Sequence, residues 1–118
     1  MDARNIANLM RRHGRPVVLR RQLPTTPVSF ATVVVQGLER AFGVHELAGA
    51  IVQGDHQVIV LEEELAAAGY PLPVQHNDLV VIGPIVTDGV WQRGSGRPLT
   101  IQDPGPRAGV GFWIQARG

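Results

Sequence analysis

Neither cysteine nor lysine occurs among the 118 residues of this chain. Without cysteine there are no disulfides and no thiolate-bound metal, so the fold is expected to hold through its core alone. No run of about 18 apolar residues is present, and no helical membrane span is expected. The opening MDARNIANLMRRHG lacks the apolar segment of a secretory signal. The expectation is a soluble protein made in the cytoplasm. Catalytic signatures are also missing. His13, His45, His56 and His76 form no HxH or HxxxH pair of the kind that holds zinc. Ser29 and Ser95 lie outside any nucleophile-elbow sequence, and there is no GxxxxGK phosphate loop. No enzyme activity, no metal and no cofactor are expected.

What is present begins with arginine, which supplies all 11 basic residues. A composition rich in Ala, Gly, Val and Arg is what a GC-rich genome produces. The planar arginine fork also suits carboxylates at interfaces, and phosphates, better than lysine does. Net charge is only +1, but it is unevenly spread. Residues 1–38 carry six arginines against Asp2, residues 39–88 eight acids against Arg40, and residues 89–118 four arginines against Asp103. Folding either mixes these blocks into an ordinary surface or leaves opposite faces that attract neighbours in a ring or stack. The sequence leaves both open.

A chain of this length forms one domain, burying about two-thirds of the surface exposed when unfolded. A single domain over residues 1–118 is expected, with a helical arm at 1–14 and a β body at 16–118. Ile6, Leu9, Met10 and His13 are spaced by three and four, which puts them on one side of a helix. Gly14 and Pro16 stop it. Residues 16–23 and 28–38 have the β-branched density of strands, with a proline-flanked turn between them. Residues 39–48 read as a loop projecting from the sheet. Residues 51–61 form a third strand with a bulge at Gly54. Glu62, Glu63 and Glu64 then open a helical turn near residues 62–69, where carboxylates favour the positive end of the dipole. Gly69 and Pro71 close it. Residues 77–86 make a fourth strand, bent or at an edge at Gly83-Pro84, and short strands are expected at 90–93, 99–102 and 110–117. The class is mainly β, a small barrel or sandwich with a short N-terminal helix. In it, the strand, helical turn and strand of residues 51–86 are expected to wrap the sheet around a barrel corner.

Several constellations bear on chemistry. Arg11, Arg12, Arg15, Arg20 and Arg21 are candidates for contact with a partner or with DNA phosphate. Aromatic residues that stack bases are absent from that segment, the first being Phe30, so acids of an adjoining subunit are the preferred partners. Arg93, Ser95 and Arg97 sit among glycines as a flexible interface loop. Glu62, Glu63 and Glu64 point in different directions on one turn and make no facing acid/base pair. Asp55 with His76 would suit a small hydrolase only if folding brought both into one pocket.

Four stretches resemble a known family: Val52-Gln53-Gly54-Asp55; Glu64-Leu65-Ala66-Ala67-Ala68-Gly69; Pro73 with Asp78-Leu79-Val80-Val81-Ile82; and Phe112-Trp113-Ile114-Gln115-Ala116-Arg117-Gly118. Together they resemble the neck proteins of tailed phages and prophages, of the head-closure (stopper) or head–tail joining type. The resemblance covers residues 10–118, and residues 87–98 are longer and richer in glycine than the tight hairpin of the pattern. It implies a barrel-like subunit in a sixfold or twelvefold homo-oligomeric ring at the virion neck, made in the host cytoplasm. The ring would dock between a portal or adaptor protein and the tail proteins. It would hold back packaged DNA, touch that DNA without sequence preference, and need neither membrane nor cofactor. Neighbours would join through exposed strand edges, the N-terminal helix and long loops. Arg40, Phe42, Val44, His45 and Glu46 are then the candidate channel or partner loop. A tail terminator or another neck ring is the alternative within this class. A small nucleic-acid-binding β-barrel is the alternative from another class, and a steep fall of affinity with salt would mark it.

Overall fold

The computed structural model of the chain describes residues 3–41 and 55–118. Phe42, Val44, His45, Glu46 and the bulge expected at Gly54 lie outside the described residues, as does the side chain of Arg40. The chain opens with α1 (Ala3–His13), followed by β1 (Arg15–Leu23) and β2 (Ser29–Ala41). Next come β3 (His56–Leu61), α2 (Glu62–Ala68) and β4 (Leu79–Ile82). A short hairpin, β5 (Val86–Thr87) and β6 (Val90–Trp91), precedes β7 (Arg97–Asp103), β8 (Pro106–Arg107) and β9 (Gly111–Arg117).

Six of these strands close into a barrel in the order β3-β2-β1-β4-β7-β9, with β9 pairing back onto β3. Every pairing is antiparallel. The strands are staggered: Gly37 faces Arg15 on one side and Val60 on the other, the offset that closing a tilted sheet requires. Gly37 lies where β2 passes from β1 to β3, and a Cβ there would stand 3.0 Å from the Val17 side chain. Lack of a side chain there leaves room for the Val17 and Val58 side chains inside the wall.

The strand alternation points one set of side chains inward. Val17, Leu19, Val35, Val58, Val60, Val80, Leu99, Ile101, Phe112 and Ile114 form the interior cluster. β-branched residues dominate it, as they suit a pleated, crowded wall. Leu65 of α2, with Tyr70 and Val74 of the following loop, completes the same cluster. The α2 helix ends in a Schellman arrangement: Gly69 takes a left-handed φ of 85°, its N–H donates to the Ala66 carbonyl, and the Tyr70 N–H donates to the Leu65 carbonyl. That geometry turns Tyr70 back under Leu65.

The expectation of a mainly β fold with a short N-terminal helix holds, and the architecture is a barrel. Four local expectations are corrected. The segment from β3 through α2 to β4 does not wrap a corner, because β3 and β4 stand on opposite sides of the ring and the connection crosses its end. β2 continues to Ala41, so residues 39–41 are strand rather than loop. The fourth strand stops at Ile82, ahead of Gly83-Pro84. In α1, Ile6 and Met10 are buried but His13 is exposed, so the packed side is narrower than its spacing suggested.

Closure also uses up most of the strand edges expected to receive neighbours. A long free edge remains among the described residues on the first half of β2, since β3 begins pairing only at Gly37. Pro16 opposes Gln36 and has no N–H to give, so this is a non-hydrogen-bonded pair and the Gln36 amide turns away from β1. Glu64 accepts its hydrogen bond at 2.8 Å. The acidic triplet therefore includes one carboxylate with a defined job at the sheet edge, beyond matching the helix dipole.

Candidate functional site

Alternation along β1 sends Val17, Leu19 and Arg21 inward and Val18 and Arg20 outward. Val18 and its cross-strand partner Val81 are buried although they lie outside the interior cluster. The segment from Gly83 to Gly96 covers them: a Cβ on Gly96 would stand 2.6 Å from the Val81 side chain. This flap carries the β5–β6 hairpin over the outer wall. It is braced internally, with the Ile85 N–H donating to Ser95 Oγ at 2.9 Å, the Gln92 N–H to the Ile85 carbonyl at 2.8 Å, and Ser95 Oγ to the Gln92 carbonyl.

Between wall and flap runs a cleft. On one side of Arg20 a cavity of about 480 Å³ is lined by Phe30, Thr32 and Val34 of β2 and by Val90, Trp91 and Arg93 of the flap. A second cavity of about 540 Å³ shares Arg20, Trp91 and Arg93 and runs along Leu79, Val81 and Pro98. The Arg20 guanidinium lies 3.8 Å from the centre of the Phe30 ring and 5.9 Å from that of Trp91, within the range of cation–π attraction. Trp91 is fixed by donation from Nε1 to the Ser95 carbonyl at 3.2 Å. Arg20 Nε is buried and has no hydrogen-bond partner.

A second polar cluster sits where β4 begins. Asp78, only 4% exposed, accepts from Arg21 Nε at 2.9 Å and Nη2 at 2.7 Å, from the Tyr70 hydroxyl at 2.9 Å and from the Gln75 N–H at 3.0 Å. Arg21 Nη2 also donates to the Pro73 carbonyl at 2.7 Å. The Arg21 pKa is raised, chiefly by the hydrogen bond to Asp78. Burial, aided by the bond to Asp78, pushes the Tyr70 hydroxyl well above its ordinary value. At the other end of the barrel, Asp55 accepts from Arg117 Nε and from Gln115 Nε2, both at 2.8 Å. That hydrogen bond raises the Arg117 pKa.

The arginines expected to act together are dispersed. Arg21 is committed to Asp78 inside the fold and is withdrawn as a contact for DNA or partners. Arg11, Arg12 and Arg15 are exposed around the end of α1 and the start of β1, away from the cleft. Arg11 donates to Asn8. Arg20 and Arg93, from two separate candidate groups, meet in the cleft, whereas Ser95 is a brace of the flap and Arg97 starts β7. Asp55 is occupied by Arg117 and Gln115, and His76 is exposed on the turn before β4 at the opposite end, so the two share no pocket. Ser29 shares a 2.7 Å hydrogen bond with Thr25. Sequence reasoning missed Phe30, Trp91, Tyr70 and Asp78. Trp91, one of two tryptophans and set among glycines, was the signal available for the cleft.

The cleft offers two cations and two aromatic faces to an oxyanion-bearing ligand, and it holds no carboxylate of its own. Among the described residues no three His, Asp or Glu side chains gather as metal ligands, and no helix is long and apolar enough to cross a membrane. Comparisons with protein-family models, with curated proteins and with solved structures gave no match.

Proposed function

We propose that the chain is a structural subunit of the head–tail connector of a tailed phage or prophage. It forms a ring that closes the DNA-filled capsid below the portal or adaptor and offers the tail its attachment surface. The observation that supports this reading is an uneven sharing of charge between the two barrel ends. Arg15 and Arg97 open β1 and β7 at one end, with Arg11 and Arg12 of α1 beside them. At the other end, where β3 and β7 finish, stand half-buried Glu62 and exposed Glu63, Asp103 and Arg107, while exposed Glu39 lies at the arginine end. Among the described residues, acids thus outnumber bases at one end and arginines outnumber acids at the other. Opposite charge on opposite ends favours docking between stacked rings and disfavours like-end approach. Two of the segments that carry the resemblance are wall and strut of the barrel: Asp78 through Ile82 holds the Arg21 bridge and β4, and Phe112 through Arg117 lies in β9.

Imaging of assembled particles, with this chain located by a fused label or by its density, tests the proposal. The expected result is a ring on the axis between portal and tail. A position elsewhere in the particle, or absence from it, overturns the reading.

A further inference from the structure

We propose that the cleft between the barrel wall and the β5–β6 flap is a docking site for an extended acidic segment of a partner protein. Its carboxylate, flanked by apolar side chains, is held by Arg20 and Arg93 beside the rings of Phe30 and Trp91. The inference holds whether or not the chain belongs to a phage neck, because it rests on the chemistry of the cleft alone.

Arg20 carries the argument. Its Nε is buried and has no hydrogen-bond partner, a condition that native structures rarely leave uncorrected. The adjacent Arg21 displays the missing arrangement, with Nε and Nη2 gripping the two oxygens of Asp78 at 2.9 and 2.7 Å. That side-on fork is how a guanidinium recognises a carboxylate. Arg20 has no such carboxylate, and because its Nε is closed to solvent, a ligand oxygen engages that fork only with a shift of the side chain. The Phe30 ring, 3.8 Å from the guanidinium, keeps its charge at the cleft. Arg93 lines both cavities on either side of Arg20 and supplies the second cation.

The surroundings select a protein segment over a nucleic acid. Val28, Phe30, Ile85 and Val90 are exposed along the start of β2 and the flap, Val90 to 67%. Aromatic residues and arginine within an apolar rim are the composition of protein-binding hot spots. Nucleic-acid surfaces are more uniformly basic.

The test is to pan a random linear peptide library, displayed on a carrier, against the full chain. Expected is enrichment of sequences with Asp or Glu between apolar residues. A synthetic peptide of the enriched sequence then binds with an affinity that falls about tenfold or more in R93Q and in R20Q, and its Asn or Gln analogue loses binding similarly. R93Q alters an exposed flap residue, so it keeps the test sound even if R20Q disturbs folding. Absence of enrichment, enrichment without acidic residues, or unchanged affinity in R93Q overturns the proposal. So does oligothymidylate binding tighter than the peptide and weakening steeply with salt, which would make the cleft a nucleic-acid groove.

Discussion

Arg20 and Arg21 are neighbours in the chain and opposites in the fold. Arg21 turns into the end of the barrel, where its side chain is 15% exposed, its Nε and Nη2 donate to the Asp78 carboxylate and the Pro73 carbonyl, and the face of Tyr70 lies 5.3 Å away. Arg20 turns outward onto Phe30 and meets no carboxylate. The strand period alone separates them. In a closed wall, the same residue type becomes a strut on one face and is left for a partner on the other, and the side chain by itself does not say which.

Three measurements bear on that contrast, taken from the largest effect to the smallest. D78A leaves Arg21, the Tyr70 hydroxyl and the Gln75 N–H without their shared acceptor. Urea unfolding is expected to show a loss of about 3–5 kcal/mol, the cost of stranding one partner of a buried ion pair. A loss below about 1 kcal/mol would mean that the cluster is no strut, and the contrast with Arg20 would disappear. Y70F sharpens the picture through pH. The Tyr70 pKa is raised in the folded state, mainly by burial, so stability is level up to the ordinary tyrosine value of about 10 and falls above it, where only the unfolded chain gives up its proton. Y70F is expected to cost about 1 kcal/mol at neutral pH and to remove that alkaline decline. The chain has a single tyrosine, so tyrosinate absorbance reports this group alone, and ionisation at an unshifted pKa counts against the cluster. The smallest effect belongs to R20Q, which forfeits the stacking on Phe30 and is expected to cost about 0.5–1 kcal/mol by the same unfolding measurement. A cost equal to that of D78A would make Arg20 a second strut and remove the reason to assign it to a partner.

Much of the fold is legible in the sequence because its signals are local. Gly14 ends α1, Gly69 caps α2 with the left-handed turn its position called for, and runs of Val and Ile mark the strands. The arrangement of those strands is not local. That β3 pairs with β9, and that the strands before and after α2 stand across the barrel from each other, follows from partners far apart in the chain, which no short motif records. The site was hidden for the same reason. Phe30 and Trp91 are 61 positions apart, and only the fold of the flap onto the wall brings both to Arg20. The basic segment has no aromatic residue in sequence, yet on the surface Arg20 has the rings of Phe30 and Trp91 beside it. Asp78, expected within the fourth strand, instead precedes β4, after Asn77 at a positive φ of 73°, and its carboxylate points inward to Arg21.

The proline opposite Gln36 reaches further than one missing hydrogen bond. By fixing the phase of β2, it assigns the amides of Ala31, Val33 and Val35 to the ladder with β1 and turns those of Phe30, Thr32 and Val34 toward the free edge. Amide protons over residues 30–35 are thus divided between two clocks, with slow exchange on the odd-numbered residues and fast exchange on the even-numbered ones. The fast set belongs to the three residues whose side chains line the cleft, so occupancy of that surface would be written in the exchange rates of every second amide.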